Sequence, residues 1–414
     1  MFEKIRNLKK DELVRGSMIL IIMLGLFNVL NYIFQMSMAK LLGPADYGIL
    51  AVLMSFVYIF GIPSEAIQTI ITRYASRFNS KKQYGKMKDL LYRSMKKGMV
   101  FSIIVFLIFF ILSFWFSGIL KINTWLLIIT GLIIFSAFIS PIIRGILQGQ
   151  KRFFGMGGNF ILESLTKVIF SIILVLIGFK VYGAITGVII GISIAFLFGI
   201  FLIRKVIKAK RKASKFTGIY SYNLPVIIAM TSIVLIYSID IIIARIIFNP
   251  ETAGIYAFVS LIGKTIFFSS SAIGKAMFPL ASEHFSNKIK TGKLLKKSVI
   301  ITSLISGFAL IFFLLIPKQI IYIISLGSSQ YLSASGVLFT LGLAFTFASF
   351  THLLILYGLS IDRIKKSSYF LLLFFILEAE LLIFLGGSSL MVFSIIILVV
   401  NLLMMLFSIY LIKR

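Results

Sequence analysis

The chain has 414 residues, of which 59% are hydrophobic and 13% are charged, and its formal net charge is +29. A soluble domain is about half apolar and about a quarter charged, so this composition excludes a water-soluble globular protein. The chain has no cysteine and two histidines, which excludes disulfides and thiolate metal sites, and we expect neither a metal nor a cofactor.

Long apolar runs follow one another along the whole chain. Runs of about twenty apolar residues predict membrane-spanning helices, because a segment in lipid must satisfy its own backbone hydrogen bonds. The first run is too long for a signal-peptide core, and we interpret it as a retained span. The sequence therefore predicts an all-α polytopic membrane protein with twelve spans, near residues 16–39, 47–71, 98–119, 124–146, 159–179, 182–203, 221–245, 253–281, 297–316, 331–357, 367–385 and 389–411.

Basic residues are concentrated in every second loop between these runs. The intervening loops hold at most one basic residue each. Lys and Arg accumulate in cytoplasmic loops, so the pattern predicts cytoplasmic N- and C-termini and contact with anionic lipid rather than nucleic acid. Usage of Lys, Ile and Phe is typical of an AT-rich prokaryote, which places the protein in a prokaryotic inner or plasma membrane. The basic segments are the N-terminus, 73–97, 144–152, 204–215, 288–297, 363–366 and the C-terminus.

An internal repeat relates the two halves of the chain. Pro44, Gly48, Ile49 and Ala51 match four residues at a constant offset of 206 positions. Both copies lie in predicted outer loops, which indicates a parallel repeat of two six-helix lobes around a central cleft, with alternating access. We expect an N-terminal lobe at 1–203, a basic cytoplasmic linker at 204–220 and a C-terminal lobe at 221–414.

Basic side chains inside the spans are the first candidate site residues, because charges in lipid are costly and normally face a partner or a watery cavity. Glu163 and Lys167 are one turn apart on span five and form either a structural pair or a cavity-lining pair. Lys264 and Lys275 share one face of span eight. They either extend to the membrane surface as snorkelling lysines or bind an anionic substrate as cations. Arg144 lies at the cytoplasmic end of span four. It is either an ordinary interfacial arginine or a residue that contacts a substrate headgroup.

Acids and amides inside the spans form the second group of candidates. Glu65 on span two and Asp240 on span seven serve either ion coupling or charge pairing. Asn28, Asn31 and Gln35 share one face of span one. Hydrogen bonding between helices is the default role of such amides, and recognition of sugar hydroxyls is the alternative.

Several short motifs occur in order between residues 16 and 290, and they are similar to those of one transporter group. The chain resembles the polysaccharide-exporter branch of the multidrug/oligosaccharidyl-lipid/polysaccharide exporter superfamily. The motifs are LLGPADYGILA at 41–51, the run from Gly61 to Arg73 and Tyr74, IIRGILQGQKRF at 142–153, VYGAITGVIIG at 181–191 and AMFPLASE at 276–283.

The resemblance implies a flippase that moves a lipid-(pyro)phosphate-linked oligosaccharide from the cytoplasmic to the outer leaflet for assembly of surface polysaccharide or glycan. It also implies polysaccharide assembly enzymes as partners. Cations that line the cleft, namely Lys167, Lys264, Lys275 and Arg144, would match the phosphate charge. The polar cleft residues of span one would then meet the sugar.

Two other functions compete with the flippase. An ion-coupled drug or cation antiporter of the same superfamily favours an acidic cavity, whereas the charges inside these spans lean basic. A membrane-embedded glycosyltransferase or polymerase needs catalytic groups in a sizeable outer loop, and the predicted outer loops are short, with little acid beyond Asp46 and Glu251. The chain has no P-loop pattern. We therefore expect a transporter without catalytic residues rather than an enzyme.

Overall fold

The computed structural model describes residues 12–213, 224–361, 363 and 368–413, and all regular structure in these ranges is helical. This confirms the all-helical polytopic fold. The basic residues before position 12 and the linker residues 214–220 lie outside the described ranges. The helices up to the linker are α1 (Glu12–Phe60), α2 (Ile62–Ser80), α3 (Tyr84–Leu120), α4 (Thr124–Gly131), α5 (Ile133–Gly149), α6 (Phe153–Leu174), the π-helix Val175–Phe179, α7 (Lys180–Leu202) and α8 (Arg204–Lys208).

The second half of the chain continues in the same way. Its helices are α9 (Leu224–Ile236), α10 (Ile239–Ile247), α11 (Pro250–Ser286), α12 (Gly292–Leu315), α13 (Pro317–Ile324), the 3-10 segment Ser329–Val337, α14 (Leu338–Ser360), α15 (Ser368–Leu385), the 3-10 turn Gly386–Ser388 and α16 (Leu390–Lys413).

The number of spans depends on how two very long helical stretches are divided. Within the described ranges, nine helices are long and apolar enough to cross a membrane, or ten when one bent pair counts as a span. Two of the nine, Ile22–Ser80 and Phe153–Leu202, have 59 and 50 residues, well above the roughly 20 needed for one crossing. Each contains a glycine with non-helical backbone angles, Gly43 or Gly178. The count of twelve stays a prediction.

Gly43 interrupts α1 at the first copy of the repeat. Its φ of 71° and ψ of 173° belong to a region that only glycine adopts without strain. Pro44 follows directly, and proline suits the first turn of a helix because its missing N–H has no partner to lose there. The GP dipeptide therefore ends one helix and begins the next, so the outer loop predicted there is reduced to one glycine.

The chain folds into two compact units. The first comprises residues up to Leu42 and the segment Phe60–Ser221, and the second comprises Gly43–Ile59 and the chain from Tyr222 onward. The segment 43–59 therefore packs with the second unit, although the sequence assigned it to the N-terminal lobe. In that unit the Tyr47 ring lies 5.7 Å from the Phe258 ring.

Inside the second unit, the two copies of the repeat lie side by side. A Cβ atom at Gly48 would lie 2.9 Å from the Cα of Gly254, and one at Gly254 would overlap the Pro44 carbonyl. Small residues let helices in a membrane approach closely. The glycines of the repeat thus mark a close crossing of α1 and α11.

Span seven, expected as one helix over 221–245, is broken. The helix axis bends by 49° between Ile227–Ile236 and Ile239–Ile247. The break places Asp240 in the first turn of α10, where free backbone N–H groups and the helix dipole favour a carboxylate. Discontinuous helices of this kind often form binding sites in transporters.

Candidate functional site

A positively charged cluster lies in the first unit, where α5, α6 and α1 meet. Arg144 on α5 forms an ion pair with Glu163 on α6, with side chains 12% and 20% exposed. The Arg144 Nε donates to the Asn159 side-chain oxygen over 2.9 Å, and its guanidinium lies 3.9 Å from the centre of the Phe160 ring. The guanidinium is therefore held on two sides by α6.

Lys167, one turn after Glu163 on α6, reaches α1 instead. Its ammonium donates to the Asn31 side-chain oxygen and lies 4.6 Å from the centre of the Phe34 ring. The Asn31 amide donates in turn to the Phe27 carbonyl over 2.8 Å. Glu163 forms its direct ion pair with Arg144 from a neighbouring helix, and its charge also acts on Lys167, so the roles predicted for Glu163 and Lys167 stay predictions.

These residues form what we name the Arg144 cluster: Arg144, Asn159, Glu163, Lys167 and Asn31. It holds two cations and one carboxylate, so its net charge is positive when all three are ionised. Neither cation uses all its donors, because a guanidinium has five N–H groups and an ammonium has three. The cluster therefore combines an excess positive charge with unused N–H donors.

Glycines of the VYGAITGVIIG motif fix the backbone beneath this cluster. Gly183, Gly187 and Gly191 recur every fourth residue on α7 and face α6 closely. A Cβ atom at Gly191 would lie 2.7 Å from the backbone carbonyl oxygen of Glu163 and 2.9 Å from the backbone nitrogen of Lys167. This repeated small residue lets α7 pack directly against α6, and so it sets the position of Glu163 and Lys167.

A second cluster lies inside the second unit and is almost fully buried. The Asp240 carboxylate accepts hydrogen bonds from the Tyr256 hydroxyl, the Ser260 hydroxyl and the Lys264 ammonium, each over 2.8 Å. Tyr256, Ser260 and Lys264 follow at intervals of four and therefore share one face of α11. Lys264 and Asp240 are 2% and 1% exposed. We name Asp240, Tyr256, Ser260, Lys264 and Glu378 the Asp240 cluster.

Glu378 on α15 completes the Asp240 cluster. It is 3% exposed, and its charge acts on both Asp240 and Lys264. The cluster thus contains two carboxylates and one ammonium. With all three ionised it carries one excess negative charge, which is costly in an apolar interior without a further cation.

The structure places the remaining predicted residues as follows. Lys275 is exposed, unlike Lys264, so the two do not share one environment despite their common helix face. Asn28 and Glu65 are also exposed, whereas Gln35 is buried. Of the three amides predicted on span one, Asn31 joins the Arg144 cluster. The roles predicted for all these residues in substrate binding or coupling stay predictions.

Known proteins share both sequence and fold with this chain. A sequence model of the family described as "Polysaccharide biosynthesis protein" matches residues 13–285, about two thirds of the chain. The chain belongs to this family. The resemblance predicted from the sequence motifs is confirmed at the level of this family.

One relative in sequence is a membrane protein, and solved structures share the fold of this chain. An uncharacterised membrane protein of Methanocaldococcus jannaschii is 28% identical over 371 residues, covering 80% of this chain and 85% of the relative. The lipid II flippase MurJ in an inward closed conformation superposes with a TM-score of 0.72 at 13% identity, over 96% of this chain and 88% of MurJ.

An inward-facing multidrug resistance transporter of the MATE family superposes with a TM-score of 0.71 at 14% identity, over 92% of this chain and 93% of that one. At such low identities, both structures show a shared fold only. The chain is a multi-pass membrane protein that shares the fold of these two structures.

Sequence reasoning assigned no role to four residues of the two clusters, namely Tyr256, Ser260, Glu378 and Asn159. A signal existed for three of them. Tyr256 and Ser260 precede Lys264 at helical spacing, and Glu378 lies inside the apolar run SYFLLLFFILEAELLIFL, where an acid marks a functional position by default. Asn159 carries no comparable signal, because its role depends on Arg144 from another helix.

Proposed function

We propose that this protein is a flippase that moves a lipid-(pyro)phosphate-linked oligosaccharide from the cytoplasmic to the outer leaflet of a prokaryotic cell membrane by alternating access. Its product would feed assembly of surface polysaccharide or glycan by enzymes of that pathway, and both termini would lie in the cytoplasm. The family's description as polysaccharide biosynthesis proteins and the shared fold with a lipid II flippase support the proposal.

The observation that carries the proposal is the excess positive charge of the Arg144 cluster. Arg144 and Lys167 face a single carboxylate and keep unused N–H donors. A phosphate or pyrophosphate has the charge and oxygen geometry that arginine and lysine bind best. Asn31 and Asn159, already bonded to these cations, hold them in place for the incoming anion.

The test is a flipping assay in proteoliposomes with a fluorescent lipid-pyrophosphate-linked oligosaccharide. We expect wild type to move the lipid and Lys167→Gln to slow it about tenfold or more, the cost of one charge-assisted hydrogen bond. Lys96→Gln removes the same charge from an exposed position of α3 and should leave the rate unchanged. Absence of flipping by wild type, or equal slowing by both variants, would overturn the proposal.

The Asp240 cluster favours a second candidate function, ion-coupled antiport of an organic cation. Two buried carboxylates share one ammonium, so the cluster can take up a proton or another cation and release it. In a flippase the same exchange would couple lipid movement to an ion gradient. In an antiporter it would drive export of a cationic compound.

Gradient-driven exchange separates the two functions. We would measure uptake of an organic cation into proteoliposomes under a proton or sodium gradient, with wild type, Glu378→Gln and Glu380→Gln. Glu380 is exposed and two residues away, so its variant is a matched control. Exchange by wild type that fails only in Glu378→Gln would establish the antiporter. Flipping of the lipid-linked sugar without cation exchange would exclude it.

A further inference from the structure

A cavity of about 350 Å³ lies at one end of the first unit, away from the residues of the Arg144 cluster. Its walls come from the ends of α2, α5 and α7 and from the start of α3 and α8. All these segments belong to loops that the charge pattern assigns to the cytoplasmic side. The polar side chains that line it are Asn79, Tyr84, Gln150, Arg152, Arg204 and Lys205.

The lining is strongly basic. Three of its side chains are cations, and the described lining residues include no carboxylate. Asp89 is the one acid in the predicted loop segment 72–98, and it is engaged elsewhere. It accepts a hydrogen bond from the Arg211 Nε over 2.7 Å and lies 3.8 Å from the Arg93 guanidinium. The positive charge of the cavity is therefore not balanced by its own walls.

The walls are held in place by contacts of their own. Arg152 donates to the Leu202 carbonyl at the end of α7, a usual way to satisfy a helix C-terminus. The Arg204 guanidinium lies 4.7 Å from the centre of the Phe201 ring. The Lys212 backbone N–H donates to the Gly85 carbonyl over 3.1 Å. The segment after α7 thus runs back along the start of α3 and closes one side of the cavity.

Gln150, which lines the cavity, carries one polar atom without a hydrogen-bond partner among the described residues. This atom is its buried side-chain oxygen. A buried amide oxygen without a partner is costly, and rotation of the Gln150 amide toward the cavity would let a bound hydroxyl satisfy it. Phe201, 57% exposed, adds an apolar surface beside the cations.

We propose that this cavity binds the phosphate of a lipid headgroup in the cytoplasmic leaflet. Arg152, Arg204 and Lys205 would contact the phosphate, Gln150 would bond to a headgroup hydroxyl, and the lipid tail would leave past Phe201. The size of the cavity lies within the range of sites for small molecules. The phosphate can belong to a bulk anionic phospholipid or to the lipid-linked substrate, and only this second source rests on the proposed flippase function.

Native mass spectrometry of the full-length protein in detergent tests the site. The probes are a short-chain phosphatidylglycerol, a polyprenyl pyrophosphate and a diacylglycerol without phosphate, with Kd measured for each. We expect binding of the phosphate-bearing probes, weakened about tenfold or more by Arg204→Gln. Lys208→Gln removes a charge from an exposed position on the same short helix but outside the lining, and it should leave Kd unchanged.

The outcomes divide cleanly. Stronger binding of polyprenyl pyrophosphate would make the cavity a substrate entry site, whereas stronger binding of phosphatidylglycerol would make it a site for bulk lipid. Equal weakening by both variants would overturn the proposal in favour of a diffuse electrostatic field, as would equal binding of diacylglycerol. Because Kd is measured without transport, loss of the proposed flippase function in the proteoliposome assay would leave this result intact.

Discussion

The Arg144 cluster of the first unit and the Asp240 cluster of the second place ionisable groups inside apolar helices in different ways. The first holds two cations with one carboxylate and remains partly exposed. The second holds two carboxylates with one ammonium, and its charged members are at most 3% exposed. Partial exposure with spare donors suits reversible ligand binding, whereas deep burial suits an internal charge balance.

Breaking the buried pair should have the largest effect. Lys264→Met removes the ammonium that pairs with Asp240 and acts on Glu378, and we expect a loss of stability of about 3–5 kcal/mol. The loss of stability is measured by thermal unfolding of the purified protein, with size-exclusion chromatography used to monitor the fraction that stays folded at each temperature. The double variant Lys264→Met/Asp240→Asn should recover most of the loss. A single variant as stable as wild type would show that the pair carries little of the unit's stability.

Crowding the contact between α7 and α6 beneath the Arg144 cluster should have the second-largest effect on stability. A methyl group at Gly191 meets backbone atoms of Glu163 and Lys167, which cannot move aside like a flexible side chain. We expect Gly191→Ala to cost about 1–3 kcal/mol in thermal stability and to slow flipping. Gly158→Ala on α6 is the control, because a Cβ there meets nothing within 4 Å. Equal effects of the two alanines would argue against close packing of α7 on α6.

Charge and geometry can be separated at Arg144. Arg144→Lys keeps the positive charge but cannot reproduce both the Asn159 bond and the Glu163 pair, because an ammonium lacks the planar fork of a guanidinium. We expect flipping to fall by roughly tenfold, about 1.4 kcal/mol, and to fall further in Arg144→Gln. A lysine variant with full activity would reduce the role of Arg144 to a point charge.

The smallest effect should follow loss of one ring. Phe34→Leu removes the aromatic face beside the Lys167 ammonium, an interaction of about 0.5–1 kcal/mol. We expect flipping to slow by less than about fivefold in the proteoliposome assay. Phe201→Leu, which alters the wall of the cavity between the ends of α2, α5 and α7, should leave the contacts of Lys167 unchanged. A larger loss in Phe34→Leu than in Lys167→Gln would contradict the assigned contact.

Much of the fold could be predicted from the sequence because membrane helices are local structures. Apolar runs and alternating basic loops predicted the helical, multi-pass character that the structure confirms. The break after Ile236 could not be predicted, since neither Gly nor Pro lies at Tyr237 and Ser238. The packing of 43–59 with the second unit was also missed, because it depends on contacts such as Tyr47 with Phe258.

The candidate sites were predictable as residues but not as partners. Arg144, Lys167, Asp240 and Lys264 stood out as charges in or beside apolar spans. Their pairing did not, because Asp240 and Lys264 are 24 residues apart on different helices, and a partner on another helix leaves no local pattern. The spacing of Glu163 and Lys167 did not reveal that Arg144 contacts the Glu163 carboxylate, since a helical interval shows only that contact is possible.

Phosphate recognition by the Arg144 cluster is tested most directly by comparing two ligands on two proteins. We would measure Kd of wild type and of Arg144→Gln/Lys167→Gln for a lipid-pyrophosphate-linked oligosaccharide and for the same lipid-linked sugar without phosphates. Each charge-assisted contact contributes about tenfold or more. We therefore predict that wild type prefers the phosphate-bearing lipid by roughly a hundredfold and that the double variant loses this preference. An unchanged preference in a folded double variant would contradict phosphate binding by these two cations.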